Sequence, residues 1–527
     1  MSRFNKAGSQ PQPVNQPIVS TSSATARTGN NAPGFVRDAK GELFLLAVSN
    51  FVGQDKFYET AKSGDNRFRD LVRQVAQEDP AWTRRFLPWL RNEANMRTAS
   101  IVGAIEAVYG QLKRPEGAIQ GYGRSMINSV LQRADEPGEA LGYWLSTYPG
   151  QQIPKPIKRG VADAAARLYN EFNTLKYDTA SHGIRFGDVL ELTHASPDKA
   201  FQQILFRHLI DRRHGREGIP SSLTMLHKNA WLREQVGRGR TALLLDPDNL
   251  SGAGMTWEDA LSLAGSKVNK KDVWEAMIPN MGYMALLRNL RNFDEAGVSN
   301  STATWVGARL ADPEQVTRSR QLPMRFLSAF RSVSSLRWAQ PLELGLQASL
   351  SNIPEFPGRT LILIDTSGSM NTSMSDRSGL QFWDAAAIFG LAVSQRCEKA
   401  DVYSFSNRTI AFPLERGASL LVMLEAFKRG YLQRGGTATA MAVQQSFRNH
   451  QRVIILTDEQ ANYHTHRDVT AGVIPAHIPV ITFNLAGYKV GHAESGTPTR
   501  ITIGGLSDQA FKLLPALERR AAGQWPF

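Results

Sequence analysis

Residues 360–369 read TLILIDTSGS: an unbroken apolar, β-branched run that stops at an aspartate and then turns through serines and a glycine. A strand that is apolar on both faces belongs inside a parallel sheet with helices packed on each side. The pattern recurs downstream. DVYSFS (401–406), RVIILTD (452–458) and IPVITFNLAG (478–487) read as further strands. Helical spacing occupies 382–397, 419–429 and 438–448 between them, with another helix near 508–520. Alternating strand and helix predicts a doubly wound α/β domain over residues 360–527, whose ligands bind beyond the carboxyl ends of the strands.

Upstream the texture differs. Residues 1–35 are rich in Ser, Thr, Asn, Gln, Pro and Gly, with too few apolar groups to offset the entropy of ordering them, and are expected to form a flexible tail. From 36 to 350 apolar residues recur at helical spacing with no sustained alternation. Trp82, Phe86, Trp89 and Leu90 follow an Asp79-Pro80 start signal. Val161, Ala164, Ala165, Leu168, Tyr169 and Phe172 mark a second helical face, and Leu286, Leu290 and Phe293 a third. Many amphipathic helices without strands suggest stacked helix pairs. Residues 351–359, with two prolines and a glycine, read as a linker.

Composition narrows the function. The 527 residues exceed what one core organises, so at least two domains are expected. Cys397 is the single cysteine, which excludes an intramolecular disulfide framework and a cysteine-rich zinc module. No apolar run approaches a membrane span, and the start has no signal-like apolar stretch, so a cytoplasmic protein without membrane contact is expected. Lys and Arg outnumber Asp and Glu by 61 to 48, a net charge of +13 that attracts polyanions. Residues 357–527 hold 17 basic and 13 acidic residues, leaving 44 and 35 for 1–356, so most of the excess belongs to the helical part.

Asp365, Ser367 and Ser369 alternate on the turn that ends the first strand, so one carboxylate and two hydroxyls can aim at a common point. All-oxygen surroundings suit Mg²⁺ or Mn²⁺ better than Zn²⁺. Gly435-Gly436-Thr437 and Thr457-Asp458 come to the same sheet edge. The competing reading of the turn is a serine-rich helix N-terminus whose side chains cap orphan amides. Together the three segments resemble the metal-ion-dependent adhesion site of a von Willebrand factor A domain. That resemblance implies hydroxyl ligands from Ser367, Ser369 and Thr437, with Thr439 the competing threonine, and ligation by Asp365 and Asp458 directly or through water. A partner's acidic group could complete the shell. No GxSxG turn or phosphate-binding P-loop is present, and His464 and His466 lack a third ligand in view, so an enzyme is not expected.

In the helical part Lys155, Lys158 and Arg159 fall on one turn. A second cluster holds Arg207, Arg212, Arg213 and Arg216, and a third Arg288 and Arg291. Each could equally be a solvated helix face. The stretches LRNEANMRT (90–98), KRGVAD (158–163), VLELTH (189–194) and MALLRNL (284–290) resemble the TROVE module, and TROVE followed by an A domain is the layout of the Ro autoantigen family. The resemblance covers residues 36–527. It implies a HEAT-like helical-repeat ring closed with help from the A domain. It implies binding of small noncoding Y-like RNA and of single-stranded 3′ ends of misfolded RNA, with an exoribonuclease as a possible partner. Lys155, Lys158 and Arg159 align with basic residues that the family uses for RNA. Phe186 stands where the family often has a histidine, which puts Y RNA contacts there in doubt. The alternative function is a protein-protein adaptor whose helical array and metal-dependent A domain bind partners without RNA.

Overall fold

The computed structural model describes residues 25–28, 33–49, 61–179, 183–197, 199–216, 218–319, 321, 323–350, 355–373, 381–415, 418–460, 474–488, 490–492, 495, 499–504, 525 and 527. They fall into two compact units: residues 66–351, and residues 1–65 together with 352–527.

Among the described residues the first unit is built of helices alone. The helix Pro80–Asn92 starts as its sequence directs, with Asp79 Oδ1 accepting from the Trp82 N–H at 3.0 Å and Pro80 in the first turn, where no N–H is missed. Its Trp82, Phe86, Leu87 and Leu90 are buried. Glycines set the closest helix crossings. A Cβ on Gly160 of the helix Lys155–Leu168 would lie 2.6 Å from Ile127 Cβ and 2.7 Å from the Arg124 carbonyl of the helix Tyr122–Val130. The expected face ending at Phe172 is shorter than its spacing suggested. Tyr169 closes that helix, Asn170 caps a new one by accepting from the Asn173 N–H at 2.8 Å, and Phe172 is exposed.

The second unit begins with two short strands, β1 (Ala26–Arg27) and β2 (Pro33–Val36), and the helix Ala39–Ser49. Then come β3 (Phe356–Asp365), β4 (Cys397–Phe405), β5 (Thr409–Phe412), β6 (Arg452–Thr457), β7 (Val480–Asn484), β8 (Val490–Gly491) and β9 (Arg500–Gly504). The main sheet has the order β5-β4-β3-β6-β7-β9 and is parallel except for the antiparallel edge strand β5. Leu361, Leu363, Phe405, Val453, Ile455 and Val480 form one buried face with Ala442 and Val443. Ile364 and Leu456 on the other face meet the helix Phe382–Gln395 at Gly390, where a Cβ would come within 2.9 Å of both side chains. A small second sheet orders β1-β2-β8, with Phe35 opposite Gly491 and Val36 opposite Val490.

Several expected boundaries move. Residues 26–27 and 33–35 are not a tail, because their backbone groups pair in that small sheet; the other described residues of the stretch, 25 and 28, flank β1, and the remainder of 1–35 lies outside the described residues. Residues 36–65 group with the α/β unit instead of the helical one, since β2 pairs with β8 and the helix Ala39–Ser49 packs on β9. Phe356, expected in the linker, already pairs with Cys397 as the first residue of β3. The four strands read from the sequence are present. The helix expected near 508–520, and His464 and His466, lie outside the described residues.

Candidate metal centre and basic helical surface

Asp365 ends β3, Asp458 follows β6, and the loop 434–437 is sewn to the turn between them. Gly368 N–H donates to the Gly435 carbonyl at 2.8 Å and Arg434 N–H to the Thr366 carbonyl at 2.9 Å. Ser406 Oγ donates to the Gly436 carbonyl at 2.8 Å, and the Gly436 N–H to Asn407 Oδ1 at 2.9 Å. Gly435 is required there: a Cβ would lie 2.7 Å from Ser406 Oγ and Asn407 Nδ2. The turn is therefore a fixed loop junction, and the short 3₁₀ turn Ser369–Asn371 follows in place of an α-helix.

All five expected ligands, Asp365, Ser367, Ser369, Thr437 and Asp458, are buried. Asp365 is held by the Ser367 N–H at 2.9 Å on Oδ1 and by the Thr457 hydroxyl at 2.5 Å on Oδ2. Ser367 and Ser369 hydroxyls lie 3.3 Å apart. Asp458 Oδ1 accepts from the Gln460 N–H at 3.2 Å, while its Oδ2 and the hydroxyls of Thr437 and Thr439 have no hydrogen-bond partner. Burial pushes the Asp458 carboxyl up to about 7, and the neighbouring charge of Asp365 adds to it. Asp365 is raised in the same direction, again chiefly by burial. Two buried carboxyls that repel each other, beside orphaned hydroxyl oxygens, form a donor set that a hard divalent cation suits, because the ion offsets the charge and satisfies the oxygens. Among the described residues no three His, Cys, Asp or Glu side chains converge as a metal cluster. This set has two carboxylates and three hydroxyls instead.

Four neighbours of this centre escaped the sequence reading. Arg37 Nη2 lies 2.6 Å from Glu459 Oε2 with both side chains fully buried, and Asn484 Nδ2 donates to the same oxygen at 2.6 Å. Glu459 holds a left-handed φ of 60° directly after Asp458. His492, just beyond β8, is buried with neither ring nitrogen partnered.

The helical unit divides its expected RNA residues into two groups. Arg207, Arg212, Arg213 and Arg291 are each ion-paired, to Asp211, Asp178, Asp188 and Glu295 at 3.8, 3.4, 2.7 and 3.4 Å. Lys155, Lys158 and Arg159 start the helix Lys155–Leu168, and none has an acidic partner among the described residues; the exposed Arg288 has none either. Arg159 lines a cleft of about 1000 Å³ together with Arg124, Arg167, His194, Lys199 and Phe201, where Asp163 is the one acidic side chain among the described residues. Phe186 is no surface residue: its ring is buried and stacked on Tyr169 at 4.0 Å.

The LRNEANMRT stretch proves to be scaffolding. Arg91 and Arg97 both donate to Oε1 of buried Glu136, at 2.9 and 2.8 Å.

Residues 247–356 match the TROVE domain family model. Of the four stretches quoted above, MALLRNL lies within it. Two proteins named telomerase protein component 1, from Mus musculus and Rattus norvegicus, are 45% and 43% identical over 83 residues. That is 15% of this chain, and the chain spans 3% of the length of these relatives. The crystal structure of the Deinococcus radiodurans RO (RSR) protein superposes with a TM-score of 0.62 at 18% identity, covering 91% of this chain and 99% of that one. No described helix is long and apolar enough to cross a membrane. Over residues 247–356 the chain thus resembles a TROVE domain, and its fold, a helical unit and an α/β unit, is that of the Deinococcus Ro protein.

Proposed function

We propose that this protein binds RNA through its helical unit and a divalent cation through its α/β unit, and that it acts as a ribonucleoprotein component without catalysing a reaction. The observation that carries the RNA reading is the group Lys155, Lys158 and Arg159, three cations on one helical turn without acidic partners among the described residues, with Arg159 on a cleft that also holds Arg124, Arg167 and Lys199. Uncompensated cations on a rigid helix are what a phosphate backbone neutralises, and His194 and Phe201 offer rings to unpaired bases. The RNA is a small noncoding, Y-like species or the single-stranded 3′ end of a misfolded RNA, and the setting is RNA quality control or processing with an exoribonuclease. At the α/β unit Asp365, Ser367, Ser369, Thr437 and Asp458 would hold Mg²⁺, or Mn²⁺, which when bound supplies a positive centre for an acidic group of a protein partner.

Two experiments test this. RNA affinity measured across salt concentrations should fall steeply for the full chain, by about 0.7 in log–log slope for each phosphate neutralised on a single strand. A flat salt dependence, or RNA-free native protein that shifts no small structured RNA, overturns it in favour of a protein adaptor. Calorimetry with Mg²⁺ and Mn²⁺ should show strong loss of binding in Asp365→Ala, and a like loss when Ser367→Ala is combined with Ser369→Ala. Equal ion binding by wild type and Asp365→Ala removes the metal site. RNA affinity should be unchanged in these variants.

A further inference from the structure

We propose that His492 belongs to the metal centre, where its imidazole hydrogen-bonds a water molecule carried by the divalent ion while strand β2 holds it in place. The proposal rests on the metal reading above and extends it to a residue outside the expected donor set.

The first observation is the state of the ring. His492 is 2% exposed, and neither Nδ1 nor Nε2 has a hydrogen-bond partner. A buried polar ring with both nitrogens open is costly and uncommon, and the usual reason is a ligand or an ordered water that meets it. The second is where the ring lies. His492 follows β8 in the connection that leaves the carboxyl end of β7, the sheet edge that also carries Asp365 and Asp458. The open atoms of the centre are complementary in kind: Asp458 Oδ2 and Glu459 Oε1 can accept, and the Thr437 hydroxyl can do either. A hydrated ion is the one simple occupant that supplies donors to the carboxylate and imidazole and a positive charge to the hydroxyl oxygens.

The third observation is how firmly the segment is tied. The Gln460 side chain, two residues after Asp458, donates to the Val490 carbonyl at 2.8 Å. Strand β2 pairs with Val490 and Gly491 on the other side. The Arg37 guanidinium crosses directly over Gly491, where an added Cβ would lie 2.4 Å from Nη2, and ends on Glu459 beside Asp458. An N-terminal residue thus clamps the loop of the metal carboxylate and the loop of His492 together. Direct ligation does not fit, since Asp365, Asp458 and His492 do not converge as a three-residue cluster. A contact through a water carried by the ion does. Such indirect partners typically tune metal affinity by about 10- to 100-fold.

The test uses the full chain. Mn²⁺ and Mg²⁺ titrations of wild type, His492→Ala and His492→Gln are compared, along with thermal unfolding of each in EDTA. We expect His492→Ala to bind both ions about 10- to 100-fold more weakly. In EDTA the same variant should be as stable as wild type or more so, because the substitution removes an unpartnered buried ring. Opposite movement of the two readouts is the signature, and His492→Gln should regain part of the affinity, since its amide can also bond water. Spin-echo modulation by a remote nitrogen in Mn²⁺-loaded wild type, lost in His492→Ala, is the expected spectroscopic result. Affinity within about twofold of wild type in His492→Ala overturns the proposal. So does parallel loss of ion affinity and EDTA stability without recovery in His492→Gln, which makes the ring a packing element. If wild type itself binds neither ion, the metal reading fails, and the role of His492 fails with it.

Discussion

Glu136 in the helical unit and Asp458 in the α/β unit are both buried carboxylates, and their surroundings differ in one respect. Glu136 has both oxygens taken: Arg91 and Arg97 donate to Oε1, and the N–H groups of Gln132 and Arg133 to Oε2. Asp458 keeps Oδ2 open, amid open hydroxyls on Thr437 and Thr439 and an open imidazole on His492. A carboxylate saturated by its own chain has finished its task when the chain folds. One left open carries an unmet cost that a ligand can remove. The same distinction applies to cations with the sign reversed. Arg212 and Arg213 are bound to the protein's acids, while Lys155, Lys158 and Arg159 have no acidic partner among the described residues. Function is expected wherever the chain leaves charge uncompensated.

The largest expected effect comes from removing one member of a buried ion pair. Arg37→Ala leaves Glu459 charged and fully buried with Asn484 alone on its carboxylate, and should destabilise the α/β unit by about 3–5 kcal/mol. Arg97→Ala should cost only roughly 1 kcal/mol, because Arg91 and two backbone N–H groups still hold Glu136. Urea unfolding of both full-length variants makes the comparison. Equal losses would mean that the number of donors around a buried carboxylate does not decide its contribution. Arg37→Met combined with Glu459→Leu should recover much of the loss, since a buried pair can be replaced by apolar side chains of similar size.

Phe186 comes next. Its buried ring is stacked on Tyr169, so Phe186→His buries a polar ring in an apolar stack and should cost roughly 1–3 kcal/mol. RNA affinity, measured under conditions where the variant stays folded, should not improve. A gain in RNA affinity would show that this position reaches the surface and that the stack opens.

The distinction between paired and unpaired charge was the part of the molecule least visible in the sequence. TLILID, RVIILTD and DTSGS could be read directly, because an apolar run followed by a tight polar turn is a local pattern and the sheet brings the strand ends together. The basic clusters could be seen but not sorted, since the acids that decide their role, such as Asp178 for Arg212, are 34 residues away and reached only through helix packing. Arg37 and Glu459 are separated by 422 positions, and nothing near either one announces the other. LRNEANMRT is the instructive case. It lies outside the residues 247–356 that match the family model, and its two arginines are held by acids of the helical unit, Arg91 by Glu136 and Arg97 by Glu136 and Glu139, so a stretch read for its resemblance is not thereby a binding surface.

A smaller effect separates the two kinds of cation. Replacing Lys155, Lys158 and Arg159 together by alanine should flatten the salt dependence of RNA binding by up to about 2 in slope, roughly 0.7 for each phosphate that is no longer neutralised. Melting should be nearly unchanged, because exposed cations contribute little to stability. Replacing Arg207, Arg212 and Arg213 by alanine should do the reverse, lowering stability by freeing Asp178 and Asp188 while changing the salt slope less. Equal flattening by both triple variants would show that an ion pair within the protein does not withhold an arginine from phosphate, which breaks the comparison on the helical side.

The smallest effect is a control inside the α/β unit itself. His450 is a buried histidine like His492, but it is satisfied: Nδ1 accepts from the Arg448 N–H at 3.0 Å and Nε2 faces Asp401 Oδ2 at 2.8 Å. Burial holds its pKa below the ordinary histidine value, against the pull of Asp401, so the folded chain resists a proton that the unfolded chain accepts. Stability from this ring is therefore fully present above the ordinary value near 6.5 and is lost as pH falls through it toward the depressed folded value. Asp401 does not open the window, because its carboxyl is held below the usual range, with the hydrogen bonds from Arg359 and His450 outweighing its burial, and it stays charged throughout. Melting temperatures from pH 8 to pH 5 should fall more steeply for wild type than for His450→Asn, by the same margin with EDTA and with Mg²⁺. Parallel slopes would acquit the imidazole. A margin that changed with Mg²⁺ would mean that a histidine with all its partners in place still senses the ion, and the line drawn between saturated and open polar groups would have to be redrawn around the whole sheet.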